Sequence, residues 1–260
     1  MSDYQNINYS VTNRVATIAL NSPEKLNAFN QKMRFELIDA VQKAEDDVNI
    51  RVVILTGEGK AFSAGADLTE GSLGDVCFVE QCKTEYTPWL MGIHNSKKIY
   101  IAAVNGACAG IGSAAALNCD LIVMGENAYL YQAFSAIGLM PDGGAVWLLL
   151  QKLGYQKALE MAIDAGKLSA EECLKLGIAN RIVADDKLMI EAQAWAEKIA
   201  NGAPLAQAAA KQLMRKASQM TYHDVVVEES NMQNKLIKSQ DAQNAVKAFF
   251  SKTTAVFEGK

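Results

Sequence analysis

Histidine is scarce in this 260-residue chain: only His94 and His223 occur. That leaves little material for a nucleophile worked by an imidazole base. Ser113 sits beside glycines as a hydrolase serine would, yet no histidine stands in a matching motif, so it reads as a packing residue or a helix cap. Cysteine is odd in number, five, and forms no Cys-x-x-Cys pair. That argues against a disulfide framework and a zinc site, and it fits a reducing compartment. No apolar run approaches the ~20 residues that span a bilayer. The opening Met1-Ser2-Asp3-Tyr4-Gln5 lacks the basic and apolar regions of a signal peptide, so the expected location is cytoplasmic and no membrane partner is expected. Basic residues are outnumbered, 25 against 29 acidic, for a net charge of −4. A nucleic-acid partner held by bulk charge is therefore not expected. There is no Pro/Ser linker, low-complexity tract or repeat of 20–50 residues.

What is present is the composition of a folded domain, 50 % apolar and 21 % charged. The segments 7–11 and 14–20 alternate as strands across the turn signal Thr12-Asn13. From 31 to about 47, Met33, Leu37, Ile38, Val41 and Ala44 recur at helical steps. An apolar strand at 51–57 follows, so the chain begins β-β-α-β, which implies a right-handed crossover in a largely parallel sheet. The unit repeats: a weaker helical stretch at about 75–95, a strand at 99–104, a helix start at 112–117 and a strand at 120–124. From 145 onward the pattern is mostly helical, at 146–153, 156–165, 169–176, 188–201, 204–219, 222–239 and 242–251. The expected fold class is α/β, with a core over residues 1–190 and a helical C-terminal region over 191–260. That many helices with few strands to cover suggest that the tail packs on something else, such as another subunit.

Glycine clusters at two strand ends. One corner is Lys60-Ala61-Phe62-Ser63-Ala64-Gly65-Ala66-Asp67-Leu68, the other Asn105-Gly106-Ala107-Cys108-Ala109-Gly110-Ile111-Gly112-Ser113. Small residues there let a ligand approach the backbone and leave amide N–H groups free. Two inward N–H groups can hold the oxyanion that any acyl enolate or tetrahedral intermediate develops. Either corner alone reads equally as a tight turn with close helix–strand packing. Gly110-x-Gly112 is too short for a dinucleotide fingerprint. Met33, Met161 and Met189 read as core filler, and Lys211, Arg215 and Lys216 as a basic helix patch, either a solvated face or a contact for a ligand's phosphates.

The order of several short strings resembles the crotonase (enoyl-CoA hydratase/isomerase) superfamily over nearly the whole chain. They are Ser22-Pro23-Glu24-Lys25-Leu26-Asn27-Ala28-Phe29, Ser63-Ala64-Gly65-Ala66-Asp67-Leu68, Ala103-Val104-Asn105-Gly106, Asn118-Cys119-Asp120, Ile137-Gly138-Leu139-Met140-Pro141-Asp142-Gly143-Gly144, the stretch 168–178 and Ala248-Phe249-Phe250-Ser251-Lys252. The resemblance implies a crotonase-like spiral of ββα units with a helical C-terminal trimerisation region, hence a homotrimer or a dimer of trimers. It implies a coenzyme A thioester as substrate and no metal or other cofactor. It puts the oxyanion hole at the backbone N–H groups of Ala66 and Ile111, the second flanked by Gly110 and Gly112 where the family usually has glycine. Lys25, Leu26, Ala28, Ala64, Asp67 and Leu68 fall where the family holds adenine and pantetheine. Phe249 and Lys252 fall where a neighbouring subunit's tail approaches the nucleotide.

The resemblance also exposes a departure. The family's hydratases use two glutamates, and their places here are taken by Ala114 and Phe134, neither of which transfers a proton. One acid remains, Asp142. The string Ala133-Phe134-Ser135…Gly138-Leu139-Met140-Pro141-Asp142-Gly143-Gly144 is similar to the epoxyphenylacetyl-CoA isomerase group, and some enoyl-CoA isomerases have glutamate at this position. Burial among apolar neighbours would raise the Asp142 pKa and make it a better base. On local sequence alone, Asp142 reads equally as the N-cap of a helix starting at Gly143. His94, near Trp89, could serve a dehalogenase-like branch or be a plain helix-face residue. The expected activity is a double-bond shift, from a 3-enoyl to a 2-enoyl thioester or the isomerisation of a ring epoxide. The alternatives are an enoyl-CoA hydratase of β-oxidation and a catalytically silent acyl-CoA-binding protein.

Overall fold

A computed structural model describes residues 4–70 and 77–260. Strands β1 (Ile7–Thr12) and β2 (Val15–Leu20) form an antiparallel hairpin. Its turn residues Asn13 and Arg14 take φ of 50° and 68°, as a two-residue turn matched to strand twist requires. Helix α1 (Gln31–Asp46) is capped by Asn30, whose side chain accepts from the Met33 amide, and it buries Met33, Leu37, Ala40, Val41 and Ala44. Strand β3 (Val52–Gly57) then pairs parallel to β2.

Each long strand that follows is trailed by a short one. Strand β3 leads to β4 (Ala61–Ser63), β5 (Ile99–Val104) to β6 (Ala107–Ala109), and β7 (Leu121–Gly125) to β8 (Tyr129–Tyr131). The long strands and β10 (Arg181–Val183) make a six-stranded sheet in the order β1-β2-β3-β5-β7-β10; the short ones and β9 (Lys167–Ser169) make a second sheet, β4-β6-β8-β9. This succession of two strands and a helix is the ββα spiral. The short strands went unread in the sequence, because three residues carry too little alternation to show a period.

The intervening helices are α2 (Phe78–Gln81), α3 (Thr87–Asn95), α4 (Ile111–Asn118), α5 (Ala145–Ile163) and α6 (Ala170–Lys175), followed by α7 (Leu188–Ala200), α8 (Pro204–Ala217), α9 (Tyr222–Leu236) and α10 (Gln240–Ser251). The helical stretch expected at 75–95 is described from Phe78. It runs through α2, a π-helical turn at Cys82–Tyr86 and α3, and residues 75 and 76 lie outside the described residues. The helices expected at 146–153 and 156–165 are α5, kinked at Gly154 (φ 72°, ψ 171°).

The buried strands show the two-residue period across two cores. Val53, Leu55, Ala102, Val104, Ile122 and Met124 face the main core under α1, α3 and α4. Val52, Ile54, Ile101, Ala103 and Val123 face the other side, covered by Leu188, Ala192, Ala196 and Ala200 of α7. Met33 and Met161 are core residues, whereas Met189 is 38 % exposed and is not core filler.

Candidate active site

The two glycine corners meet. A Cβ placed on Gly65, whose φ is +100°, would lie 3.2 Å from the Ala109 carbonyl oxygen and 3.6 Å from Gly110 Cα. Ser63 holds the first corner by donating to the Asn27 carbonyl and accepting from the Gly65 amide. Gly110 opens α4 at φ 52°, ψ −130°, a conformation open essentially to glycine alone. That bend puts Ile111 at the first position of α4, where an amide has no carbonyl four residues back to bond. Neither the Ala66 nor the Ile111 amide donates to an acceptor among the described residues. Both residues line one cavity of about 700 Å³. The N-terminus of α4 adds its positive dipole end at the same place.

Asp142 lines this cavity as well. Its Oδ1 is buried and has no hydrogen-bond partner among the described residues. Burial pushes its carboxyl up to about 6, partly offset by its own backbone amide. The capping alternative is overturned. Helix α5 starts at Ala145, its N-cap is Gly144 with no side-chain cap, and Asp142 contributes only its carbonyl, which accepts from the Ala145 amide at 2.9 Å. The reason is the chain's two successive left-handed glycines, Gly143 (φ 60°) and Gly144 (φ 84°), which turn the aspartate away from the helix end and toward the cavity.

The Ile111 side chain packs beneath this turn. A Cβ on Gly143 would come within 2.9 Å of Ile111 Cγ1 and 3.2 Å of Ala114 Cβ. Ala114 is fully buried, and Phe134 lines the cavity. An isoleucine in place of glycine thus leaves the amide free while its side chain supports the aspartate loop.

Of the residues expected to hold a thioester's coenzyme, Ala64, Asp67, Leu68 and Gly110 line the cavity. Lys25 pairs with Asp67 at 2.8 Å. Against the desolvation that would raise it, this lysine and Thr69 bring Asp67 down to about 2. The Leu26 carbonyl accepts from the Ala64 amide, tying the 22–28 segment to the first corner; Leu26 itself is half-exposed and Ala28 buried. Lys25, Leu26 and Ala28 are not among the residues that line the cavity. Neither are Phe249 and Lys252, which sit at the end of α10; Phe249 is 78 % exposed.

Sequence reasoning missed a polar wall. Arg34, buried in α1, donates from Nε to Glu85 at 2.7 Å and from Nη1 to the Phe29 carbonyl at 2.6 Å and the Tyr86 hydroxyl at 3.4 Å. Nη1 also lies 3.1 Å from Glu70. Arg34, Glu70 and Tyr86 line the cavity. Tyr86 is pushed up to about 12, chiefly by burial, with Asp142 adding to the rise. The available signal was an arginine in the buried stripe of α1, between Met33 and Leu37.

His94 does not reach the cavity. Arg215 Nη1 donates to its Nδ1 at 2.6 Å. The ring proton is therefore on Nε2, and Asn118 Oδ1, 3.2 Å from the same nitrogen, faces an acceptor. Burial and the Arg215 charge lower its pKa. Of the basic face expected on α8, Lys216 is exposed, but Lys211 and Arg215 turn inward and pair with Asp120 at 2.8 and 2.7 Å. Ser113 is fully buried, donating to the Gly110 carbonyl and accepting from Gln132. It holds the second corner together. Among the described residues no cluster of three metal-ligating side chains occurs, and no helix is long and apolar enough to cross a membrane.

The family model described as enoyl-CoA hydratase/isomerase matches residues 10–260. A probable enoyl-CoA hydratase of Rhodobacter capsulatus is 35 % identical over 257 residues, 99 % of each chain. The 1,2-epoxyphenylacetyl-CoA isomerase of Escherichia coli is 33 % identical over 252 residues, 95 % of each. A crystal structure of an enoyl-CoA hydratase from Bacillus anthracis superposes with a TM-score of 0.93 at 29 % identity, covering 98 % of this chain and 100 % of that one.

Proposed function

The chain belongs to the enoyl-CoA hydratase/isomerase family, and from that membership we propose that this member shifts a double bond in an acyl-CoA thioester, with Asp142 as acid and base. The carrying observation is the state of the carboxylates that line the cavity. Asp67 is paired with Lys25, and Glu70 accepts from the Gln31 amide and pairs with Arg34. Asp142 has a buried oxygen with no partner among the described residues and shares the cavity with the Ala66 and Ile111 amides, which donate to none of those residues either.

The chemistry follows from those groups. With the thioester carbonyl on the Ala66 and Ile111 amides, the C2 proton of a 3-enoyl thioester is acidified. Asp142 removes it, and the electron pair moves into a dienolate whose oxygen the two amides stabilise. The same carboxylic acid returns the proton at C4, leaving the double bond between C2 and C3. One carboxyl group suffices because no water is added. Hydration asks for help to both water and carbon, and Ala114 and Phe134 offer none. Lys25, Leu26, Ala28, Ala64, Asp67, Leu68 and Gly110 are assigned to the coenzyme end. Phe249 and Lys252 are assigned to a neighbouring subunit's nucleotide in a homotrimer or dimer of trimers.

The test is deuterium exchange followed by NMR with 3-enoyl-CoA and 2-enoyl-CoA in D2O. Wild type is expected to exchange at C2 and C4 and to convert one isomer into the other, and Asp142→Asn to do neither. The names of relatives such as the Rhodobacter protein favour a second reading, water addition. Hydration of crotonyl-CoA at a rate undiminished by Asp142→Asn would establish that reading and remove the first. Binding of acyl-CoA with no exchange at all would leave a silent binding protein.

A further inference from the structure

The polar residues that line the cavity have donors to spare. Arg34 spends Nε and Nη1 on Glu85, Phe29, Tyr86 and Glu70, while Nη2 has no partner among the described residues. The Tyr86 hydroxyl accepts from Arg34 and has no acceptor of its own among them. Tyr86 is 4 % exposed and Arg34 2 %, and both line the cavity. A hydrocarbon chain filling this space would strip water from these N–H and O–H groups and return nothing, which is costly for buried donors.

The charge balance narrows what they would accept. Two carboxylates, Glu85 and Glu70, already share the single guanidinium, and Asp142 is near enough to disfavour the Tyr86 phenolate. A third carboxylate would meet a site already negative, so the fitting group is an uncharged oxygen. The rest of the wall, with Phe78, Phe134, Ile137, Leu139 and Met140, suits an otherwise apolar group.

We infer that the cavity is built for acyl groups bearing a neutral, hydrogen-bond-accepting oxygen beyond the thioester, held by the Tyr86 hydroxyl and Arg34 Nη2, in preference to plain alkenyl chains. This rests on the reading of the cavity as an acyl-CoA site and goes beyond it to substrate class. Donors placed for a substrate oxygen discriminate against an analogue lacking it far better than an apolar pocket discriminates one methylene.

The probes are saturated acyl-CoAs in matched pairs, an ether oxygen replacing one methylene at C4, C5 or C6, with Kd measured by calorimetry on wild type, Tyr86→Phe and Arg34→Leu. At one position the oxygen analogue is expected to bind wild type about tenfold or more tighter than its methylene twin. Tyr86→Phe is expected to erase that preference while leaving the methylene twin's Kd within about twofold, a split that loss of a merely structural tyrosine would not produce. Equal or weaker binding of every oxygen analogue, or a preference that survives both substitutions, overturns this inference alone. Failure of both twins to bind at every position overturns the acyl-CoA reading and this inference with it. Asp142→Asn is expected to keep the preference, so that a loss of exchange without a loss of discrimination separates the two claims.

Discussion

Asp142 holds an ionisable group where its charged form is disfavoured, and that links activity to stability. Its carboxyl rises from 3.8 to about 6 on folding because burial removes water. The folded chain then binds this proton more tightly than the unfolded chain. The stability it lends is present in full below 3.8 and is lost as the pH rises through about 6. Asp142→Asn is therefore expected to raise stability at pH 7.5 by about 2–3 kcal/mol, at about 1.4 per pKa unit. The gain should fade below pH 4, as urea titrations at the two pH values would report. The same substitution is expected to lower isomerisation by about 10²–10⁴-fold, the range for a positioned acid–base group. In wild type kcat/KM is expected to fall tenfold per pH unit below about 6, because only the ionised carboxylate can accept the C2 proton. A flat profile from pH 5 to 8 would contradict Asp142 as the base. The φ of 52° with ψ of −130° at Gly110 admits alanine only with strain of about 1–3 kcal/mol. Gly110→Ala is expected to move the Ile111 amide and lower kcat by about 10²–10³-fold, read by steady-state kinetics with KM less affected.

Helix α8 is docked by charge as well as by packing. Lys211 and Arg215 converge on Asp120, just before β7, and Lys211 also donates to the Lys98 carbonyl. Lys211 and Asp120 are 4 % and 13 % exposed at their side chains, so removing the carboxylate leaves two cations with little water. Asp120→Asn is expected to cost about 3–5 kcal/mol, the range for breaking a buried pair, and to free α8 first, seen as faster amide exchange over residues 204–217. Equal protection in the variant would refute the clamp. At this scale the sequence was legible wherever an element spans several periods: α1, β3, β5 and the C-terminal helices lie within a few residues of where their apolar spacing puts them. It was opaque in β4, β6, β8 and β9, three residues each, whose existence depends on neighbours far along the chain. The basic residues of α8 misled for a related reason. Helical spacing gives one face of a helix but not what packs on it, and the carboxylate that buries Lys211 and Arg215 is some 90 residues away in sequence, at Asp120.

The whole molecule leaves apolar surface uncovered in its C-terminal half. Met214, Tyr222, Phe249 and Phe250 are 76, 86, 78 and 78 % exposed, and the rings of the last two meet edge to face at 5.7 Å, apolar surface of a kind that marks interaction sites. The proposed homotrimer or dimer of trimers would cover them. Sedimentation of the wild type is expected to give a trimer or hexamer, and Phe249→Ser with Phe250→Ser to shift it toward monomer. A monomeric wild type would remove the trimer and, with it, the assignment of Phe249 and Lys252 to a neighbour's nucleotide.

By itself the sequence determined the family and the repeating βα order, because motif strings and apolar periods are local properties that the chain carries wherever it goes. It also determined that Ala114 and Phe134 cannot move protons. Only the tertiary structure set aside the capping reading of Asp142: after two left-handed glycines, α5 starts at Ala145 with Gly144 as its N-cap, and Asp142 lines the cavity instead. Only it joined Arg34, Glu70, Glu85 and Tyr86 into one wall. Partners 36 to 52 residues apart in sequence meet through burial, and no period in a linear chain records which buried charge will find which.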